Sequence, residues 1–177
     1  TIHPGICKLP PGTWLEVGEG GRVVGHPRRY WSDAEHLERD PLEGSDQDAL
    51  DELEATLGRS VRRQLRADVP LGAFLSGGID SSLVATLAAE VSPHRLQTFT
   101  IGSPDRELDE SAAAADVARR IGADHDNLVV TPEDALAEIP TLAARWDEPF
   151  GDSSQLPTLL VARLARRSVT VALSGDG

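Results

Sequence analysis

Lysine is almost missing from this chain: Lys8 is the only one, although lysine and arginine together number 17 among 177 residues. A phosphate-binding loop built around a central lysine is therefore excluded. Cysteine occurs once, at Cys7, so the chain cannot close a disulfide within itself, which fits a reducing compartment. Cys7 reads as a small apolar side chain in a strand rather than a nucleophile. No stretch approaches the roughly 18 consecutive apolar residues a membrane span needs, and Thr1 to Lys8 lacks the basic and apolar regions of a signal peptide. A cytoplasmic protein without a membrane partner is the expectation. Positive charge is scarce as well. With a net charge of −12 and a pI near 4.7, the chain lacks the basic surface that replaces counterions on a nucleic acid. Any polyanion it handles is expected to be small and metal-bound.

What is present is enough apolar material for a core, 40% of the residues, arranged in segments of different character. Residues 1–31 are rich in glycine and proline, and two short alternating pieces, Thr13 to Val17 and Arg22 to Val24, flank a Gly18-Glu19-Gly20-Gly21 turn. This predicts a β-hairpin, which alone is marginal in water and is expected to belong to something larger. Residues 32–45 are polar and broken by Pro41 and Gly44, the composition of a linker. After Ser45 or Asp46 as a cap, Leu50, Leu53, Leu57, Val61 and Leu65 recur at helical spacing and predict one apolar stripe.

From residue 69 onward, short apolar runs (Leu71 to Leu75, Leu96 to Ile101, Asn127 to Val130, Val169 to Leu173) alternate with helical stretches (Ser81 to Val91, Glu110 to Ile121, Pro132 to Trp146, Leu156 to Arg166). That alternation predicts an α/β fold, a doubly wound parallel sheet covered on both faces. Thr131-Pro132-Glu133-Asp134 marks one helix start. In such sheets ligands sit beyond the carboxyl ends of the strands, where the strand order reverses.

The segment that carries chemistry is Phe74-Leu75-Ser76-Gly77-Gly78-Ile79-Asp80-Ser81-Ser82-Leu83, at the end of one strand and the start of a helix. Two glycines allow a tight turn and close approach to a ligand. Helix-start N–H groups with the hydroxyls of Ser76, Ser81 and Ser82 make an anion cradle. A bare phosphate would repel Asp80, so this residue either caps the helix or meets phosphate through Mg2+. As a bare strand-to-helix turn the segment would carry no function; the apolar strand before it and the paired serines after the acid favour the cradle.

This loop resembles the PP-loop of ATP pyrophosphatases, which split ATP into AMP and pyrophosphate. Its flanks, Asp68 to Leu75, Thr98-Phe99-Thr100-Ile101-Gly102, Leu108-Asp109-Glu110-Ser111, Asp147-Glu148-Pro149-Phe150 and Ala172-Leu173-Ser174-Gly175-Asp176-Gly177, together resemble the synthetase domain of glutamine-hydrolysing asparagine synthetases. Residues 1–31 look like the last hairpin of that family's glutaminase domain, 32–45 a linker, and 46–177 a synthetase domain cut short at its end. The resemblance implies ATP and Mg2+ as cofactors. It also implies that aspartate and glutamine or ammonia are the other substrates, and that a glutaminase domain of the same chain is the partner; a homodimer is compatible with it.

The resemblance further implies that Leu75 and Ile101 flank the adenine, that Ser76, Gly77, Gly78, Ser81 and Ser82 hold the pyrophosphate, and that Ser174 and Gly175 close over the nucleotide. Asp80 would hold the metal, and Asp176 would take the proton as nitrogen attacks. The fragment alone is expected to be inactive. Two alternatives share the loop: a relative that adenylates another acceptor, such as a β-lactam synthetase or another amidotransferase, and a nucleotide-binding module without catalysis. Asp152-Ser153-Ser154-Gln155 stands where some asparagine synthetases carry an arginine, a departure that bears on the acceptor. Arg163, Arg166 and Arg167 read as solvated helix positions, Asp109, Glu110, Asp147 and Glu148 as caps or solvated acids, and His94 and His125 as surface residues.

Overall fold

In the computed structural model, which describes residues 1–37, 40, 43–107, 109–148 and 151–176, the backbone separates into two units, Thr1–Ser45 and Asp46–Gly177. The first unit holds the expected hairpin, strands β1 (Thr13–Val17) and β2 (Val23–Arg29), paired antiparallel. β2 runs further than its sequence suggests because the register slips: Trp14 faces Arg28 while Glu16 faces Val24. Pro27, with no N–H to give, falls in the looped-out part. The Arg28 guanidinium lies over the Trp14 ring, 5.3 Å from its centre.

The segment expected to be a plain linker contains a short helix, α1 (Asp33–Leu37). Asp33 starts it by accepting a hydrogen bond from the Ala34 N–H at 2.9 Å, and His36 Nδ1 sits 2.8 Å from the Ser32 carbonyl. Local side-chain bonds of this kind outweigh a polar composition. Pro41, part of the linker reading, lies outside the described residues.

The second unit opens with α2 (Asp46–Gln64). Only the lower part of its leucine stripe is used: Val61 is buried with Leu57 and Leu65 beside it, whereas Leu50 and Leu53 are exposed. Strands β3 (Leu71–Phe74), β4 (Gln97–Gly102), β5 (Asp124–Val129) and β6 (Val171–Leu173) pair in parallel in the order β5-β4-β3-β6. Helices α3 (Ile79–Val91) and α4 (Ser111–Ile121) connect the first three strands. Each crossover steps one strand in the same direction; the path from β5 to β6 then jumps back across the sheet to the far side of β3. Right-handed crossovers in opposite directions put their helices on opposite faces.

Two cores result. On one face Ala73, Leu75 and Leu96 pack against Ala85 and Ala88 of α3 and Ala114 and Ala118 of α4. On the other, Phe99, fully buried, packs with Leu164 and Ala165 of α6 (Gln155–Ala165) and with Val169. The alanines let helix backbones lie close to the sheet, which suits short strands with few large side chains.

Two boundaries in this unit differ from the sequence reading by three residues or more. The stretch expected as a single helix over 132–146 is α5 (Pro132–Glu138) followed by a tight 3-10 segment, Ile139–Ala144. Pro140 cannot donate to the turn before it and ends the α-helix there. Strand β5 begins at Asp124, three residues before the apolar run, because an edge strand tolerates polar positions that a central strand would not.

His125 is not a surface residue. It is half-buried on β5, Thr98 Oγ1 lies 3.0 Å from its Nδ1, and its Nε2 is buried without a partner. Burial holds its pKa below 6.5, with Asp126 pulling weakly the other way. The unfolded chain then takes up the proton first, so His125 favours the fold above pH 6.5 and that contribution drains away as pH falls toward the lower folded value. Urea titrations should show wild type losing stability faster than His125→Asn between about pH 7 and pH 5, with carboxylate effects common to both. Parallel pH profiles for the two proteins would contradict this.

Candidate nucleotide site

At the carboxyl end of β3 the chain turns through Leu75, Ser76, Gly77 and Gly78 into α3. Gly77 has φ +81, and a Cβ on it would stand 2.8 Å from Ala113 Cβ and 2.9 Å from the Ala114 nitrogen. Both the left-handed backbone and the contact with α4 require glycine. Gly78 caps α3 with an extended backbone and no side-chain bond, which leaves the helix-start N–H groups to the crevice. The hydroxyls of Ser76 and Ser81 lie 2.9 Å apart, and Ser81 Oγ also accepts from the Ser76 N–H at 3.2 Å. Gly78 N–H donates to Ser76 Oγ at 3.3 Å. The loop thus holds its shape through its own donors. Thr100 on β4 donates its hydroxyl to the Leu75 carbonyl and ties the loop to the neighbouring strand.

The strand order reverses between β3 and β6, so the loops after these two strands flank one crevice. They touch. A Cβ on Gly175 would lie 2.6 Å from the Ser81 nitrogen and 2.9 Å from its Cα, which shows how closely Ser174-Gly175-Asp176 is seated on the first turn of α3. Ser174 donates its hydroxyl to Asp176 at 2.7 Å, and the Asp176 N–H donates to Ser174 Oγ at 3.2 Å.

A cleft of about 690 Å3 opens above these loops. Its walls include Leu75, Ser76, Gly78, Asp80, Ser81, Ile101, Ser174, Gly175 and Asp176, so nine of the eleven residues singled out in the sequence meet there. Gly77 turns into the contact with α4, and Ser82 Oγ is buried without a partner; neither belongs to the wall. The charged side chains on the wall are Asp80, Glu110 and Asp176, and among the described residues no lysine or arginine joins them. Sequence reasoning missed the opposite wall, where α5 supplies Thr131, Pro132 and Ala135 and α6 supplies Leu156, Thr158 and Val161. Thr131 follows the end of β5, so the rule that ligands gather beyond strand ends could have flagged it. Its capping box with Asp134, with Thr131 Oγ1 accepting from the Asp134 N–H at 3.2 Å, fixes where that wall begins.

Several other residues have structural work. Asp109 accepts from the N–H groups of Ser103 and Ser111 at 3.2 and 3.1 Å and from the Ser111 hydroxyl at 3.0 Å, and these bonds hold its carboxyl below the usual range. Asp152 accepts from the Ser154 N–H at 2.6 Å just before α6. Arg163 is not a free solvated position: its guanidinium forks onto Glu138.

A four-stranded parallel sheet with this order, a glycine turn into a helix and a second loop seated on that helix define an α/β protein of the PP-loop ATP-pyrophosphatase type. Solved structures agree on the fold. A glutamine-dependent NAD+ synthetase from Acinetobacter baumannii in complex with ADP superposes with a TM-score of 0.52 at 22% identity, over 79% of this chain and 27% of that one. A U34-tRNA thiolase from Methanococcus maripaludis gives 0.52 at 17% identity, over 85% and 52%. The asparagine synthase family model matches residues 52–177, and the chain belongs to that family. Asparagine synthetase [glutamine-hydrolyzing] 1 of Bacillus subtilis (strain 168) is 36% identical over the whole chain and 27% of its own length. A protein of Mycobacterium tuberculosis (strain ATCC 25618 / H37Rv), provisionally given the same name, is 38% identical with the same coverage. The chain thus spans about a quarter of the length of these curated relatives.

Proposed function

We propose that this cleft binds ATP and adenylates the side-chain carboxylate of aspartate, and that ammonia from glutamine then displaces AMP to give asparagine. The observation that carries the reading is the seating of Gly175 on the Ser81 backbone at the switch point of the sheet. It brings a loop of N–H groups and hydroxyls together with a second loop that ends in a carboxylate. Leu75 and Ile101 offer apolar surface for the purine, while Gly78, the α3 N–H groups and the hydroxyls of Ser76 and Ser81 face the phosphates. Phosphate oxygens would take over the bonds that Ser76 and Ser81 now make to each other.

The donor set fits a nucleotide that arrives with Mg2+. Three carboxylates and no basic side chain among the described wall residues would repel a bare triphosphate. Asp80, in the first turn of α3, would hold the ion beside the phosphates. When bound, the ion offsets the charge that develops on the leaving pyrophosphate. The loop amides keep that pyrophosphate fixed and the reacting groups aligned, so attack by the acceptor carboxylate on the α-phosphorus releases it and forms an acyl-adenylate. Asp176, whose carboxylate accepts from the Ser174 hydroxyl, would take a proton as nitrogen attacks the acyl carbon. Residues 1–31 fit the end of a glutaminase domain of the same protein, which would deliver ammonia.

The test uses the full-length protein with ATP, Mg2+, aspartate and glutamine. Asparagine, AMP and pyrophosphate should form in equal amounts, and Asp80→Ala should lower the rate by at least about 10²-fold. Pyrophosphate release with another carboxylate but not with aspartate would replace the acceptor. Unchanged turnover in Asp80→Ala would remove Asp80 from the site.

A further inference from the structure

One strongly bonded charge pair lies outside the loops described above. Arg163, two turns into α6, sends one guanidinium nitrogen to Glu138 Oε2 at 2.7 Å and a second to Oε1, a fork matched to the carboxylate plane. Glu138 is the last residue of α5. Its carboxylate also accepts from the Thr141 hydroxyl at 3.2 Å, and only 15% of its side chain is exposed. Such a pair is unlike a long-armed surface ion pair, whose partners are both mobile. The hydrogen bonds from Arg163 hold the Glu138 carboxyl below the usual range, so the pair is charged at neutral pH.

Its position gives the pair a use. Ala135, one turn before Glu138, and Val161, two residues before Arg163, both line the cleft. The two helices that form the wall opposite the PP-loop are therefore tied to each other by a pair that itself lies outside the cleft lining. That wall is mainly apolar, built from Pro132, Ala135, Leu156 and Val161, with hydroxyls only from Thr131 and Thr158. Surfaces of this kind take a flat ring rather than a charged group.

We infer that Glu138 and Arg163 are positioning residues that set the width of the apolar half of the cleft, and with it the affinity for the nucleoside part of ATP. The inference rests on the reading of the cleft as an ATP site. Neither side chain lines the cleft. Loosening the tie lets α5 and α6 separate and weakens contacts made equally before and during reaction, so binding suffers and the chemical step does not.

Calorimetric binding of Mg-ATP to the full-length protein tests this, alongside steady-state kinetics. Arg163→Ala should raise Kd and KM for ATP by roughly tenfold with kcat within about twofold, the pattern of lost uniform binding. Glu138→Gln, which keeps the shape and the Thr141 bond, should weaken binding by about threefold or more and guards against a variant that fails to fold. The exchanged pair Glu138→Arg with Arg163→Glu should recover most of the affinity. Kd within twofold of wild type in both single variants would overturn the inference, as would equal losses in the single and exchanged proteins. A wild-type protein that binds no Mg-ATP would instead overturn the ATP reading, and the two failures are separate results.

Discussion

Phe99→Ala should cost the chain about 3–5 kcal/mol of stability, the range for removing a large buried ring and leaving its cavity. Phe99 has no exposed surface and sits on the central strand β4, where it packs with Leu164 and Ala165 of α6 and with Val169. Among the described residues no other large side chain is as completely buried on that face, so little stands ready to fill the space. A loss of this size is a large fraction of the stability of an ordinary domain, about 5–15 kcal/mol. Thermal unfolding should shift down by roughly 6–20 °C at this chain length. A shift under about 2 °C would mean that the α6 face of the sheet is not packed as described.

Gly175→Ala should produce the second large effect, on catalysis more than on folding. The added methyl would have to enter space held by the Ser81 nitrogen and Cα and the Asp80 carbonyl carbon, all backbone atoms of the first turn of α3. Backbone cannot swing aside as a flexible side chain can, so the Ser174 to Asp176 loop must lift. Misplacing groups at a reaction centre by about 1 Å costs on the order of 10²-fold in rate, and kcat/KM for ATP should fall by about that factor in the full-length protein. Gly58→Ala is the matched control. Gly58 lies inside α2 with nothing within 4 Å of the added methyl, so it should gain about 0.5–1 kcal/mol of stability and leave activity unchanged. Normal activity in Gly175→Ala would show that the two loops need not touch.

The parts of this molecule that were legible in the sequence are those whose cause is local. The turn into α3 is written in consecutive residues, Ser76 to Ser82, because a glycine turn and a helix start involve only neighbours. The α/β alternation was readable for the same reason. Pro140 was visible but its effect was lost in a long helical pattern, although a proline deep in such a pattern is a sufficient stop. Strand β5 was placed late because its polar start belongs to an edge, and a strand's place in the sheet is set by topology rather than by its own residues.

The far wall of the cleft was not legible. Thr131 read as a helix cap, which it is, and nothing in its neighbourhood announces that α6, some 25 residues later, comes to face it. Arg163 and Glu138 likewise are separated by 25 residues, and two charges at such a distance carry no signal of pairing until the fold brings them together. Leu50 and Leu53 show the converse. Their helical spacing with Leu57 and Val61 reads as one apolar stripe, yet burial follows what lies opposite a helix, and among the described residues of this unit it is the second half of α2 that joins the core.

Cleavage of ATP between its α and β phosphates is the proposed work of this cleft. Full-length protein incubated with Mg2+, aspartate, glutamine and ATP labelled at the α-phosphate tests it directly, by separation of the labelled products. The label should appear in AMP, with one pyrophosphate released for each AMP formed and both formed at least about 10²-fold more slowly by Asp80→Ala. Label appearing in ADP, or remaining in ATP with every carboxylate offered, would contradict it.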